Sequence, residues 1–310
     1  MICTLTINPA IDRILYVEDF KKNNTNRIKD IINVLGGKGT HVSANLDLLE
    51  CKNRAYGISF GDTGKEIKRL LDCKNIETEF LHYDKGDSRT NYAVIEEDGC
   101  CTLFSEKGKL ISREKCETLI NKMIEEVHKD DILVLSGDAS NTEIPLIYCE
   151  IMDRLAEKQV KIFLDTSSNN LKEGIKRKPF LIKPNEDELS QIIGRDISGN
   201  EKEIINGMKE AARLGVECVT VTCGGRGSYA YYKEKFYHIH PIKVNVVNTI
   251  GCGDAFLSGM AYGFANHLDF KETLTIASAI SSATAESNIT VGFAVERAKE
   301  LKKDVRIDVW

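Results

Sequence analysis

The sequence predicts an α/β fold, a parallel sheet covered by helices. Two observations carry this: short β-branched runs alternate with amphipathic segments, and each run is strand-sized rather than helix-sized. A length of 310 residues adds that one large domain can bury a sizeable core. The candidate strands, in chain order, are residues 3–7, 132–136, 161–165, 180–183 and 218–223. Three apolar stripes at helical spacing lie among and after them: Ile120, Met123, Ile124 and Val127; Ile144, Ile147, Ile151 and Leu155; Phe256, Leu257, Met260, Ala261 and Phe264. Each reads as a core-facing helix surface.

Two stretches, 10–35 and 87–106, interrupt the alternation with shorter strand-like pieces such as 90–95 and 102–105. The polar turn Glu97-Asp98-Gly99 between them marks a hairpin rather than a βα unit. They predict a small β-rich lid, built from two insertions, over a site at the carboxyl ends of the main strands. With no internal repeat or flexible linker, residues 1–310 read as a single domain carrying this lid.

Charge and cysteine usage narrow the function. The chain has 42 Lys+Arg against 47 Asp+Glu, a formal net charge of −5, which argues against nucleic acid or an anionic membrane as partner. A hydrophobic fraction of 42% with 29% charged residues excludes a disordered chain. No apolar run approaches the roughly 18 residues that span a bilayer, and residues 2–7 read as a first strand rather than a leader, so a cytoplasmic enzyme is expected. The ten cysteines include no C-x-x-C pair and read as reduced, mostly buried thiols. His238 and His240 can share one side of a strand, but no third His or Cys stands nearby, and packing histidines are the better reading than metal ligands.

Five motifs can carry chemistry. Gly36-Gly37-Lys38-Gly39 opens a helical segment; glycines let backbone approach a ligand, the helix start offers N–H groups to an anion, and Lys38 adds a point charge. It is not a Walker A loop. Gly251-Cys252-Gly253-Asp254 opens the third apolar stripe, where successive amides can hold charge on a transferring phosphoryl group and Asp254 can accept a hydroxyl proton. Asp254 can equally be a helix cap. Lys183-Pro184-Asn185-Glu186-Asp187-Glu188 places Asn185 and Glu188 three apart at a helix start, facing one side, either around the water shell of Mg²⁺ or as an ordinary acidic N-terminus. In Thr222-Cys223-Gly224-Gly225-Arg226-Gly227-Ser228 the glycines resemble a dinucleotide fingerprint, but a strand pair with a Lys233-Glu234-Lys235 turn follows instead of a helix. A glycine-bounded hairpin lining a nucleotide fits better. Arg89 and Asn91 alternate on a lid strand, presenting a fork and an amide to a phosphate or sugar.

Together with Asn8-Pro9-Ala10-Ile11-Asp12, these motifs run along the chain in an order that resembles the phosphofructokinase B family of the ribokinase-like superfamily, over nearly all 310 residues. The N-P-A-I-D opening and the G-G-K-G form resemble the branch containing 1-phosphofructokinase and tagatose-6-phosphate kinase. The resemblance implies a doubly wound α/β sandwich with a β-sheet lid, ATP as donor, Mg²⁺, and a phosphorylated ketohexose as acceptor. It implies Asp254 as catalytic base, with Gly251, Cys252 and Gly253 as the anion hole. Asp12 with Gly36 and Gly37 would bind sugar hydroxyls, and Lys38, Arg89, Asn91 and Arg27 the phosphate that the sugar already carries. Asn185 and Glu188 would organise Mg²⁺; Lys183, Asn185, Thr222, Gly224 and Gly227 would line the nucleotide.

Three positions depart from the family pattern. His41 stands where Asn is common, Asp138 lies in the run after the central strand where Ser-Gly-Ser-x-Pro is usual, and Cys252 replaces Ala or Ser. His41 and Asp138 touch the acceptor pocket; a carboxylate at Asp138 either repels phosphate or reads an extra hydroxyl. Cys252, a thiol at a helix start, is expected to have a lowered pKa and to react readily. The segment 277–286 favours 1-phosphofructokinase, with fructose 1-phosphate as acceptor. Residues 102–108 resemble the flap of tagatose-6-phosphate kinases, which remains the alternative. A non-catalytic sugar-phosphate sensor is a third, remote reading. An exposed lid sheet offers a surface for a homodimer.

Overall fold

The structure, a computed structural model, describes every residue except Lys74 and Ser198. The chain begins with β1 (Ile2–Thr6), then leaves the core to form β2 (Ala10–Tyr16) and β3 (Asp30–Gly36). It returns through α1 (Lys38–Leu48), β4 (Asn53–Phe60), α2 (Gly61–Leu71) and β5 (Ile76–Tyr83). A second excursion gives β6 (Arg89–Ile95) and β7 (Cys101–Ser105). Next come α3 (Arg113–Glu126), β8 (Ile132–Ser136), α4 (Ile147–Leu155), β9 (Lys161–Asp165) and α5 (Ser168–Gly174). They lead to β10 (Leu181–Ile182), α6 (Glu186–Ile193), α7 (Glu201–Arg213) and β11 (Cys218–Thr222). The chain ends with β12 (Ser228–Tyr232), β13 (Lys235–Ile239), α8 (Cys252–Ala265), α9 (Phe270–Ala285), α10 (Val295–Leu301) and β14 (Ile307–Val309).

Among the described residues the main sheet has ten strands, ordered β14-β13-β12-β11-β10-β9-β8-β1-β4-β5. From β11 to β5 all neighbours are parallel; β12, β13 and β14 add an antiparallel edge. Strand order moves outward in both directions from β1 and β8, so the connections to either side diverge there and open a crevice at the carboxyl ends. Alternation along each strand builds the two layers. Cys3 and Leu5, with Leu133 and Leu135, face α3, α4, α6 and α7. Ile2, Ile132 and Val134 face α1, α8 and α9 on the other side. A fully buried Leu or Ile contributes about 1.5–3 kcal/mol relative to exposure, so both faces must be covered.

The predicted insertions form the separate four-stranded lid, ordered β3-β2-β6-β7. Each is an antiparallel hairpin, and parallel pairing of β2 with β6 joins the two, setting Asp12 opposite Asn91. Gly99 takes a positive φ of 87° in the expected turn. Several boundaries differ from the sequence reading: β1 starts and ends one residue earlier, 180–183 shortens to Leu181–Ile182, and 218–223 ends at Thr222. Helix α1 starts at Lys38, inside the glycine motif rather than after it, because Gly37 with φ 105° already turns the chain into it. Ile144 is buried with its stripe but precedes α4.

Candidate active site

The strand ends after β1, β8, β10 and β11, the starts of α1 and α8, and the underside of the lid enclose a cavity of about 440 Å³. A second cavity, of about 310 Å³, lies between the Gly224–Arg226 turn, the segment after β13 and the start of α8. Thr222 and Gly253 line both. A group held at Gly253 therefore faces each cavity at once.

Asp254 is buried at this junction, in the first turn of α8. It does not cap the helix; its Oδ2 lies 2.7 Å from His41 Nδ1. The other imidazole nitrogen, Nε2, lies 2.9 Å from the Leu35 carbonyl oxygen. Both neighbours are acceptors, so the two contacts are satisfied together when the imidazole carries both protons. Burial pulls the His41 pKa down, but the bond to Asp254, the charges of Asp254 and Asp12 and the Leu35 carbonyl more than reverse this, and the net shift is upward. Among the described residues Asp254 Oδ1 has no hydrogen-bond partner, and Asp254 lines the cavity.

The start of α8 supplies donors beside this carboxylate. Gly251 adopts the left-handed conformation, φ 82°, and a Cβ there would lie 2.0 Å from the Thr290 carbonyl oxygen, so only glycine fits. The amides of Gly253 and Asp254 fall in the first helical turn and have no acceptor within the helix. A Cβ on Gly253 would stand 3.3 Å from Lys183 Nζ, placing that ammonium close by. Lys183 and Lys38 each reach 3.3 Å from the buried carboxylate Asp165, at the end of β9. Burial raises the Asp165 pKa, yet the two lysine charges outweigh it and hold the group ionised. Both lysines line the cavity.

On the lid side, Asn91 Nδ2 donates to Asp12 Oδ1 at 2.7 Å, and Thr290 Oγ1 donates to Asp12 Oδ2 at 3.3 Å. Gly36 leaves room for this carboxylate, because a Cβ there would fall 2.1 Å from Asp12 Oδ1 and displace it. Arg89 Nε donates to the Asn8 carbonyl at 3.0 Å, and its Nη1 lies 3.4 Å from Ser105 Oγ and from the Glu106 carbonyl. Burial lowers the Arg89 pKa despite the opposing pull of Asp138, Asp12 and Glu106. A guanidinium short of compensating charge at a cavity wall is suited to an anion. Asp138 is exposed at the rim, its oxygens accepting from Ser140 N and Oγ at 3.0 and 2.9 Å.

Asn185 and Glu188 form a reciprocal cap on α6: Asn185 Oδ1 accepts from Glu188 N at 2.8 Å, and Glu188 Oε2 accepts from Asn185 N at 2.9 Å. Both still line the larger cavity. Gly224 and Gly227, with φ 55° and 87°, border the second cavity beside Thr222. In contrast to these, Arg27 is exposed on the loop joining β2 and β3 and contributes nothing to the cavity lining. The expectation for Cys252 is corrected: burial, reinforced by the Asp254 charge, pushes its thiol up to about 11, the reverse of an activated cysteine. All ten cysteines are free.

Three residues went unnoticed in the sequence. Asp165 carried a usable signal, since it ends a predicted strand and carboxyl strand ends carry sites. Thr290 is 278 residues from its partner Asp12 and offered no local sign. Thr6, buried with an unpartnered hydroxyl at the cavity, looks like an ordinary strand residue.

The family model described as pfkB family carbohydrate kinase matches residues 3–293. The chain is 32% identical over 287 residues to a 1-phosphofructokinase of Bacillus subtilis, covering 93% of each chain. It is 28% identical over 309 residues to a tagatose-6-phosphate kinase of Staphylococcus epidermidis, covering 99% of each. Its fold superposes on the crystal structure of Escherichia coli phosphofructokinase-2 in complex with potassium with a TM-score of 0.91, covering 98% of both chains at 21% identity.

Proposed function

The chain belongs to the pfkB family of carbohydrate kinases and is an ATP-dependent phosphotransferase with an alcohol acceptor; from that premise we propose that its acceptor is a ketohexose already carrying a phosphate, fructose 1-phosphate in the first place. The observation that carries this reading is the pairing of two features across one cavity. Asp254 with its free Oδ1 stands at the junction to the nucleotide cavity, and Lys38 and Arg89 line the same acceptor cavity. An unphosphorylated sugar has no use for the second feature.

In this reading ATP lies in the cavity bordered by Gly224 and Gly227, with its terminal phosphate at the Gly253 and Asp254 amides. Lys183 stands beside them. The acceptor hydroxyl donates to Asp254 Oδ1 and is oriented through Asp12 and Asn91. As its oxygen bonds to the γ-phosphorus, the bond to the β-bridging oxygen breaks, the hydroxyl proton passes to Asp254, and ADP leaves. Positioning and the amide nest supply most of the stabilisation, and the lid keeps water, a competing acceptor, away. His41, with both nitrogens committed, acts on the acceptor through Asp254.

The residues present fit Mg²⁺ held through water: the α6 cap uses one oxygen each of Asn185 and Glu188, both residues line the cavity, and among the described residues Glu188 Oε1 has no partner. When bound, Mg²⁺ neutralises charge between the nucleotide phosphates. Ile31 and Phe104, exposed on the lid, support a homodimer through that sheet, and ten free thiols suit a reducing, cytoplasmic setting.

Tagatose 6-phosphate is the second acceptor to test, favoured by the match of the flap region and the full-length similarity to tagatose-6-phosphate kinases. The experiment is ADP formation from Mg·ATP with fructose 1-phosphate, tagatose 6-phosphate, fructose 6-phosphate and fructose, compared by kcat/KM. Preference for fructose 1-phosphate supports the proposal, preference for a 6-phosphate moves it to the second acceptor, and preference for unphosphorylated fructose rejects it. Ligand binding without turnover on any of them points to a sensor.

A further inference from the structure

The antiparallel edge of the main sheet holds a second group of potential ligands, remote in sequence from the kinase motifs. His238 lies on β13 and His240 two residues further on, so both side chains emerge on the same face; their ring centroids are 4.2 Å apart. The third member comes from the C-terminal strand. β14 pairs with β13 so that Asp308 stands directly opposite His238, and Asp308 Oδ2 lies 2.7 Å from His240 Nε2. One ligand atom from each of the three residues lies within 4.8 Å of the others. Tyr229 on β12 stacks on the His238 ring at 4.5 Å and 9°, fixing its plane. Two imidazoles and a carboxylate at His-x-His spacing across a strand pair are a zinc-type donor set.

We propose that His238, His240 and Asp308 bind a divalent transition-metal ion, Zn²⁺ above all, with a fourth position open to water. Bond lengths of about 2.0–2.2 Å in a tetrahedron bring ligand atoms to roughly 3.3 Å from one another. Side-chain rotations at the partly exposed His240 and the exposed Asp308 supply that closure without moving the strands. Imidazole ligands select against Mg²⁺, so the ion used by the kinase reaction does not compete here. The consequence is mechanical: the ion ties the short exposed strand β14 to β13. His240 also immediately precedes Pro241, which with Ile242 and Val244 lines the nucleotide cavity, so the ion anchors the start of that wall.

The test uses the full chain, stripped with chelator and titrated with ZnCl₂, then with CoCl₂, following stoichiometry by equilibrium dialysis and the melting temperature. One equivalent of ion, a higher melting temperature, and cobalt visible bands lacking thiolate charge transfer are expected. H240A and D308N should retain the metal-free melting temperature and basal turnover while losing at least about tenfold in affinity, since even outer ligand partners are worth that much. Unchanged zinc affinity in both variants, or thiolate bands that mark cysteine as the ligand, would overturn the proposal. So would the absence of any bound ion at zinc concentrations well above those of the protein; His240 and Asp308 would then be a hydrogen-bonded pair alone.

Discussion

His41 donates from Nδ1 to Asp254 Oδ2 at 2.7 Å while its Nε2 faces the Leu35 carbonyl oxygen at 2.9 Å and Asp12 Oδ2 at 3.8 Å. One buried imidazole thus links the carboxylate proposed to take the substrate proton with the carboxylate proposed to orient the sugar. It fixes Asp254 through one oxygen and leaves the other for chemistry.

Asp254→Asn should fold, because an amide oxygen can still accept from His41, and should bind ATP. Turnover should fall by about 10²- to 10⁴-fold, the usual contribution of a general base. Turnover near wild type, measured as ADP release, would remove Asp254 from that role.

His41→Asn tests the link through pH. The His41 pKa is raised in the folded chain, so its charged form contributes stability that is complete below the ordinary value of about 6.5 and is lost as pH rises through the folded value. The melting-temperature advantage of wild type over the variant should therefore shrink as pH rises above the ordinary histidine range. Parallel curves would show that folding leaves the His41 pKa unshifted. Asn at this position can still donate to Asp254, so kcat should fall far less than in Asp254→Asn.

Lys38→Met and Arg89→Lys should discriminate between acceptors. Bonds to charged groups are worth about 1.5–3 kcal/mol, so KM for a sugar phosphate should rise by about tenfold or more. The much poorer reaction with unphosphorylated fructose should be nearly unaffected. Equal losses on both acceptors would mean that these cations do not meet the acceptor's phosphate.

Asp165→Asn should be strongly destabilising, by about 3–5 kcal/mol, because it leaves the buried Lys183 ammonium without its carboxylate. The depressed Asp165 pKa gives the matching pH dependence. Its contribution is present above the unfolded carboxylate value of about 3.9 and disappears as pH falls through the folded one. Denaturant titration of the variant with a change below about 1 kcal/mol would contradict a buried pair.

Cys252 should label slowly. With its thiol pushed up to about 11, little thiolate exists at neutral pH, whereas Cys100 and Cys101 are exposed on the lid hairpin. Peptide mapping after brief alkylation should find the lid cysteines modified first, with activity retained. Early modification at Cys252 would show an environment more polar than its burial implies.

The sequence by itself determined the layered architecture, the two-part lid and most of the lining of the site. Those features are local: β-branched runs, apolar spacing, and glycines that alone permit the turns at Gly37, Gly227 and Gly251 act within a few residues. The tertiary structure decided which groups became partners. Asp165 sits between Lys38 and Lys183, Thr290 reaches Asp12, and Asp308 meets His240, in each case because segments far apart in the chain pack side by side. It also decided the sign of protonation. A helix start alone argues for an activated Cys252 and says nothing of a charged His41, whereas burial raises the one and two converging carboxylates charge the other. Desolvation and Coulomb interaction depend on distance in space, and chain distance does not encode it.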